Sequence, residues 1–356
     1  MILLFDYNLA YLRWCRIENG SFIEDKCRFS STWPAAVEKN IGGFDKIKTI
    51  VYFLHHGGEY IKKPVNSLTP SVLRKVRQSI KFLPEYNDLV FKIASYWIKK
   101  LPKVSHILLC DTAFFNNLPP EAANYAVPCQ FRKKGIKRYG GFGLSHSWAF
   151  RKTAPLINSS QKKIVSIYLG EHTNLAAIQD ANPIETSIGF TPVEGILSAT
   201  HCGNIDPTII FNLHAKGMSL ARMNQILSRE SGLGALLGKK TSISRVINEK
   251  SSFKKIAARQ LYCYNIIKYI GSFISLLGGI DALVFFSEKP ESFMQFILEI
   301  CQQFNFLGLK FRSSAKEESG FLNLTKDASS IKAFCLRYNK WEVMVENIIN
   351  KRRLKW

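Results

Sequence analysis

The chain has 356 residues, of which 46% are hydrophobic and 21% charged, and no low-complexity linker interrupts it. This is the composition of an ordinary globular protein with room for two domains. Lysine and arginine number 49 against 27 acidic residues, so the formal net charge is +22. A field of that sign attracts anions such as nucleotides, acyl phosphates, acidic lipid or nucleic acid. No nucleic-acid motif accompanies the charge, so a solvated basic surface is favoured and nucleic-acid binding stays a minor alternative.

The cysteines and the apolar segments indicate a reduced, soluble setting. None of the eight cysteines forms a Cys-x-x-Cys pair and no histidine stands at zinc-finger spacing, so free thiols are expected. The amino-terminal residues lack the basic and apolar pattern of a signal peptide. The longest apolar run, 269–280, is too short to span a bilayer. We therefore expect a cytoplasmic protein without a membrane span.

In the first part of the chain, short runs rich in β-forming residues alternate with segments whose apolar residues have helical spacing. Strands are predicted at 2–5, 22–29, 49–54 and 106–110, and helices at 71–82 and 86–99. A loop rich in proline, asparagine and glycine is expected from Asp111 to His146.

The remainder of the chain repeats this theme. The patterns predict a hairpin of strands 164–169 and 175–179, further strands at 282–286 and 333–338, and helices at 192–199, 220–229, 253–274, 291–304 and 341–351. Mixed sheets flanked by helices thus occur twice, which predicts a duplicated α/β architecture. This pattern alone indicates no function.

Several short motifs follow one another in a fixed order. They are His-Gly-Gly-Glu at 56–59, Asp-Thr-Ala-Phe at 111–114, Tyr-Gly-Gly-Phe-Gly-Leu-Ser-His at 139–146, Thr-Pro-Val-Glu-Gly at 191–195, Ser-Gly-Leu at 231–233 and Asp-Ala-Leu-Val-Phe at 281–285. One such motif would be weak evidence. The ordered set resembles the acetate kinase family, part of the actin-like ATPase superfamily.

The resemblance implies an α/β fold of two actin-like domains, each of β-β-β-α-β-α-β-α type, with the active site in the cleft between them. Domain I would comprise 1–146 and about 335–356, and domain II 147–334. The resemblance also implies a homodimer that transfers the γ-phosphoryl group of ATP to a short carboxylate with Mg²⁺. Such a transfer depends mainly on positioning and on cations that stabilise the developing charge.

Roles for individual residues also follow from the resemblance. The predicted catalytic residues are Asp111, His146 and His201. Asn87, Pro192 and His55 would bind the carboxylate; Arg13, Gly170, Arg245 and Glu288 would bind nucleotide and phosphate; Asp6 and Glu288 would hold Mg²⁺. The alternatives are a capping or turn carboxylate for Asp111 and a structural histidine for His146.

Two positions depart from the family pattern where it has catalytic arginines. They are Phe53 and His201, and His201 could supply positive charge only if its pKa were raised. An arginine that stabilises phosphoryl transfer contributes about 10³–10⁵ in rate. We therefore expect activity to be weakened or altered.

Phosphate-binding segments also depart from the pattern. Tyr168 replaces a histidine, and Glu171 and His172 replace an Asn-Gly pair, which puts bulk and negative charge where phosphate would bind. The serine-rich amino-terminal phosphate loop has become 6–13, where Asp6 and Arg13 are the candidate replacements.

Three functions stay open at this point. The first is a divergent carboxylate kinase, which the family resemblance favours. The second is a non-catalytic binding or regulatory protein, which the missing arginine and the altered loops favour slightly on chemistry alone. The third is a basic protein that binds anions or nucleic acid with steep salt dependence, motivated only by the charge of +22. Whether the chain is an enzyme, and for which carboxylate, is undecided by sequence.

Overall fold

A computed structural model describes residues 1–7, 11–238, 240–248, 252–318 and 320–353, which fall into two units. Unit 1 comprises Met1–Asn116, Gly141–Ser145 and Asn339–Trp356, and unit 2 comprises Asn117–Gly140 and His146–Tyr338. Each unit has its own sheet and its own hydrophobic core.

The sheet of unit 1 has six strands in the order β3-β2-β1-β4-β6-β5. They are β1 (Ile2–Tyr7), β2 (Tyr11–Glu18), β3 (Ser21–Arg28), β4 (Thr49–Leu54), β5 (Val65–Ser67) and β6 (Ser105–Cys110). β1, β4 and β6 are parallel, whereas β2, β3 and β5 pair antiparallel with their neighbours. The helices of this part are α1 (Trp33–Asn40), α2 (Pro70–Ser79) and α3 (Pro84–Lys100).

The sheet of unit 2 has seven strands in the order β11-β12-β13-β10-β7-β8-β9. They are β7 (Lys163–Tyr168), β8 (Asn174–Gln179), β9 (Asn182–Thr186), β10 (Ala282–Ser287), β11 (Phe311–Glu318), β12 (Phe321–Thr325) and β13 (Lys332–Arg337). β7, β10 and β13 are parallel.

Further helices follow α3 along the chain. They are α4 (Pro120–Ala123), α5 (Cys129–Arg132), α6 (Gly143–Thr153), α7 (Thr208–Ala215), α8 (Leu220–Arg229), α9 (Gly232–Leu237), α10 (Ile243–Asn248), α11 (Phe253–Leu277), α12 (Met294–Gln302) and α13 (Lys340–Arg353). The last of these, α13, belongs to unit 1, so the chain returns there after β13.

The two sheets share a core of five strands. In unit 1 the order is β3-β2-β1-β4-β6, and in unit 2 it is β9-β8-β7-β10-β13. Each core is an antiparallel three-stranded meander whose first strand is followed by two parallel strands. The predicted duplication is therefore present in the topology.

Buried apolar runs explain where the central strands form. β4 has the sequence TIVYFL with five buried residues, and β10 has ALVFFS with all six buried, as expected for strands covered on both faces. α11 buries one stripe at near-helical spacing: Ala258, Tyr262, Ile266, Ile270, Phe273 and Leu277. Within the described ranges, no helix is long and apolar enough to cross a membrane. All eight cysteines are free thiols.

Two predictions of local structure were wrong. The segment 192–199 is a series of turns and bends rather than a helix, since Gly195 has a φ of +115° and donates its amide to the side chain of Asn204. The expected loop up to His146 contains a 3-10 turn at Thr112–Asn117 and the short helices α4 and α5, and α6 already begins at Gly143. His146 therefore lies inside a helix.

Candidate active site

Three predicted site residues lie at one edge of the unit 1 sheet. Asp6 is near the end of β1, His55 directly follows β4 and Asp111 directly follows β6. Because β1, β4 and β6 are parallel neighbours, their carboxyl ends meet at the same edge. Ligands of open α/β sheets bind outside this edge, so the sheet order assembles a candidate site from distant segments.

Asp6 is the buried centre of a cluster of charged side chains. Its side chain is 1% exposed, and Arg13 faces it as its register partner across the β1–β2 pair. The Arg13 guanidinium donates to Oδ2 of Asp6, and Nζ of Lys340 donates to Oδ1 at 2.5 Å. Burial would raise the pKa of Asp6, but the charges of Lys340 and Arg13 outweigh burial and hold that pKa below its ordinary value. Asp6 is an ionised carboxylate that already has two cations.

His55 adds no charge to this cluster. Its Nε2 lies 3.8 Å from Oδ1 of Asp6, and burial together with the charge of Lys340 lowers its pKa to about 3. The imidazole instead makes edge contacts with the rings of Phe53 and Tyr86. A neutral imidazole in this aromatic setting is suited to line a binding pocket.

Asp111 holds the start of α6. Its carboxylate accepts hydrogen bonds from the backbone N–H of Phe142 at 2.6 Å and of Leu144 at 3.2 Å. Burial raises the pKa of Asp111 to about 6, against the opposing effects of these amides and of Lys340. The capping alternative is therefore realised in the structure. Capping and a role in the site are compatible, because the same bonds fix the glycine-flanked turn at Phe142.

Asn87 supports the loop that follows β4. Its Nδ2 donates to the carbonyl of His56 at 2.7 Å and to Ser79, and the residue is fully buried. Among the described residues, its buried Oδ1 has no hydrogen-bond partner. The Nδ2 group donates to His56 and Ser79, so Asn87 positions the loop at His56, and its contact with the carboxylate stays a prediction.

His146 forms buried side-chain hydrogen bonds within unit 2. Nδ1 of its ring lies 2.9 Å from Oγ of Ser166, and Nε2 lies 2.5 Å from Oδ1 of Asn174. The residue is fully buried, and burial lowers its pKa to about 4. These bonds connect α6 with β7 and β8, so they support the structural alternative for this histidine.

His201 and Pro192 lie together in unit 2. The imidazole of His201 hydrogen-bonds to the backbone carbonyl of Pro192 and stacks on the ring of His172, with centroids 4.6 Å apart. Burial, together with His172, lowers the pKa of His201 to about 4. Burial and His172 thus oppose the raised pKa that His201 would need to replace an arginine, and its assignment as a catalytic residue stays a prediction.

The remaining predicted nucleotide residues are distributed over unit 2. Gly170 follows β7, and a Cβ there would lie 2.5 Å from the hydroxyl of Tyr168, so the tyrosine closes over the turn. Glu288 follows β10 and is exposed. Arg245 is an exposed residue of α10. Their assignment to the nucleotide stays a prediction.

Divalent-metal binding was predicted for Asp6 and Glu288. Asp6 does not fit this role, since its oxygens accept from Lys340 and Arg13, whose positive charges oppose a second cation. Glu288 is exposed, and among the residues that the structure describes no group of three or more His, Cys, Asp or Glu side chains could hold a metal ion. The loop 6–13 can be followed only in part, since residues 8–10 lie outside the described ranges.

Lys340 is the site residue that sequence reasoning missed. It is the first residue of α13 and reaches Asp6 across 334 positions of sequence. Only its place just after β13, at the start of a predicted helix, could have drawn attention to it. The family resemblance implied that this helix returns to domain I, but no local pattern indicates that its first residue meets Asp6.

The chain is similar to known proteins along most of its length. The model of the Acetokinase family matches residues 36–346. The chain is 33% identical to the acetate kinase of Carboxydothermus hydrogenoformans over 297 residues, which is 81% of this chain and 74% of that protein.

Solved structures agree with the fold. The crystal structure of Porphyromonas gingivalis acetate kinase superposes with a TM-score of 0.84 at 22% identity and covers 98% of both chains. That of a propionate kinase from Francisella tularensis gives 0.85 at 21% identity and covers 97% of both chains. These likenesses confirm the predicted fold class, the two-domain α/β fold of the actin-like ATPases.

Proposed function

The chain belongs to the Acetokinase family, and from this premise we propose that it transfers the γ-phosphoryl group of ATP to a short-chain carboxylate. A carboxylate oxygen attacks the γ-phosphorus, the bond from that phosphorus to the bridging oxygen of ADP breaks, and an acyl phosphate and ADP are formed. The family match over 36–346, which includes segments of both units, is the observation that carries the proposal.

This reaction needs no general base from the protein. A short-chain carboxylic acid is already ionised near neutral pH, so its oxygen attacks without losing a proton. Catalysis then depends on orientation and on cations near the phosphoryl oxygens. The neutral histidines, His55, His146 and His201, are consistent with this requirement because none has to accept a proton.

Asp111 acts in this proposal as a positioning residue. Its bonds to the amides of Phe142 and Leu144 fix the turn at the start of α6. His55, together with Pro192, is proposed to line the carboxylate pocket, and Asn87 to hold the loop after β4. The nucleotide would bring Mg²⁺ with it, since Asp6 is occupied by its own cations.

The proposed activity is weak compared with that of family members that have both arginines. The pKa of His201 is about 4, so at pH 7 this residue supplies no charge where the family pattern has an arginine. Losing one group aimed at developing charge costs on the order of 10²–10³ in rate. We also propose a homodimer, as the family resemblance implies.

The test is the formation of acyl phosphate, trapped as hydroxamate, from MgATP and a panel of straight-chain carboxylic acids from formate to hexanoate. The Asp111→Ala variant is expected to lose most of this activity. Asp45→Ala is the matched control, because Asp45 is an exposed carboxylate of the same unit. Product formation that Asp111→Ala leaves unchanged would contradict the role of Asp111.

A second candidate is a non-catalytic protein that binds the same anions. The observation that favours it is the neutral His201, combined with the uncharged side chain of Phe53. It predicts that a folded sample binds ATP in calorimetry but forms no hydroxamate with any acid of the panel. Turnover that depends on Asp111 would exclude it.

A further inference from the structure

The ammonium group of Lys340 lies against two residues of the unit 1 sheet. Its Nζ donates to Oδ1 of Asp6 at 2.5 Å and lies 3.9 Å from the centroid of the Phe53 ring. The lysine side chain is only 16% exposed. The first residue of α13 therefore places one positive charge at the carboxyl ends of β1 and β4.

The contact with Phe53 has a specific electrostatic meaning. The face of an aromatic ring carries partial negative charge, so it attracts an ammonium group that an arginine would repel. Phe53 occupies the position where the acetate kinase pattern has an arginine. The positive charge at this position is therefore present in the chain, but it comes from α13 instead of β4.

The charges at this edge also balance without a metal ion. Asp6 and Asp111 provide two carboxylates, and Arg13 and Lys340 provide two cations that act on Asp6. The charge of Lys340 also acts on Asp111. A divalent ion at Asp6 would have to displace one of these cations from a buried carboxylate.

We propose that the ammonium group of Lys340 replaces the positive charge of the arginine missing at Phe53. The same group prevents Asp6 from binding a divalent metal ion. The inference rests on the proposed function and names the source of the charge that phosphoryl transfer requires. It assigns the ammonium group to the phosphate oxygens of ATP.

The first test concerns the metal and needs no turnover. Free Mn²⁺ is measured by electron paramagnetic resonance while it is titrated into the nucleotide-free protein and into Asp6→Asn. Equal binding curves are expected, because Asp6 takes no metal. A loss of bound Mn²⁺ in Asp6→Asn would overturn the proposal.

The second test concerns the anion. The affinity for ATP is measured by calorimetry in the presence of EDTA, so that no metal contributes. Lys340→Met is expected to weaken binding about ten-fold or more, which corresponds to about 1.4 kcal/mol, whereas Lys340→Arg retains most of the affinity. The matched control is Lys92→Met, because Lys92 is a surface lysine of unit 1 that pairs with Asp88. Equal affinities of Lys340→Met and the wild type would overturn the proposal.

Removal of Lys340 leaves a buried carboxylate with one cation fewer, so stability requires its own control. The double variant Asp6→Asn/Lys340→Met removes both partners and is expected to fold and to bind ATP as weakly as Lys340→Met. In a second double variant, Phe53→Arg/Lys340→Met, the charge returns to β4 and ATP affinity is expected to recover. If this folded double variant does not recover ATP affinity, the proposal that Lys340 replaces the missing arginine is wrong.

These measurements separate the inference from the proposed function. Binding of ATP and Mn²⁺ is read without turnover, whereas the hydroxamate assay with Asp111→Ala tests the kinase activity. If the protein forms no hydroxamate but its ATP affinity still depends on the charge at position 340, the proposed function is contradicted and the inference is not.

Discussion

The imidazole of His201 stacks on that of His172, with ring centroids 4.6 Å apart and planes inclined by 26°. Two imidazoles at this distance oppose each other's protonation, and burial, the larger effect, lowers the pKa of both. The pKa of His201 is about 4, so the ring is neutral at pH 7. Burial, and after it the stacking on His172, thus explain why the histidine at this arginine position supplies no charge.

Restoring the charge at His201 is expected to raise activity. His201→Arg should increase the hydroxamate rate at pH 7 by about ten-fold or more, since a cation aimed at the phosphoryl group contributes at least this much. His201→Gln, which is neutral like the wild-type ring, is the matched control and should change the rate little. An arginine variant no faster than the glutamine variant would contradict this explanation.

Activity is expected to fall as the pH decreases through about 6. The pKa of Asp111 is about 6 because the carboxylate is buried, so protonation below that pH removes the charge that accepts from the amides of Phe142 and Leu144. Asp111→Asn keeps one acceptor oxygen, presents an NH₂ group to the second backbone amide and cannot titrate. Its rate at pH 8 should be about ten-fold or more below the wild type, with a flat profile around pH 6. A wild-type profile without an acid limb would refute the assignment.

Replacement of His146 is expected to destabilise unit 2. His146→Leu would leave the buried polar groups of Ser166 and Asn174 without their ring partner, at a cost of roughly 2–4 kcal/mol in urea unfolding at pH 7. His214→Leu is the control, since His214 is an exposed residue of α7. Similar unfolding midpoints for the two variants would argue against a stabilising role for the hydrogen bonds of His146.

The same histidine gives stability a defined pH dependence. The folded pKa of His146 is about 4, below its ordinary value of 6.5, so the unfolded chain binds the proton more tightly. The stabilisation from this depressed pKa is complete above pH 6.5 and is lost as the pH falls towards 4, by roughly 3 kcal/mol in total. In urea titrations between these pH values, His146→Leu should therefore show a smaller loss of stability than the wild type. An unchanged pH slope would contradict it.

A comparison of alanine substitutions at Gly195 and Gly43 distinguishes the cost of steric overlap from the cost of backbone strain. Both have a φ of +115°, but a Cβ at Gly195 would lie 2.2 Å from the carbonyl oxygen of Ser187, whereas at Gly43 no described atom lies within 4 Å. Gly43→Ala should therefore cost about 1–2 kcal/mol from strain alone, and Gly195→Ala clearly more. Thermal unfolding of the two variants measures the difference. Equal losses would show that the turn at 191–195 relaxes.

Sequence patterns predicted the parallel strands well because these strands are buried on both faces and therefore read as apolar runs. β4, β7 and β10 are examples, and the hairpin of β7 and β8 was also predicted. The patterns failed where polar contacts decide the backbone. The turns at 192–199 look helical by hydrophobic spacing, but a glycine with positive φ and the side chain of Asn204 hold them open.

For the candidate site, the motifs around Asp111 and Thr191-Pro192 were enough to indicate the family. They were not enough to give the charge state of the site. His201 appeared to be a possible cation, and Asp6 a possible metal ligand. Burial, the stacking on His172 and the pairing with Lys340 oppose these expectations, and none of them is visible in local sequence.

Residue types and their spacing along the chain were sufficient for the family, the duplicated α/β pattern and the loss of an arginine at Phe53. Which charges meet is a property of the folded chain. Parallel strand order brings Asp6 and Asp111 to one edge, and the return of α13 brings Lys340 to Asp6 over 334 positions. Electrostatic energy depends on distance in space and on burial, so the balance of charges at this site follows from the tertiary structure and not from the order of residues.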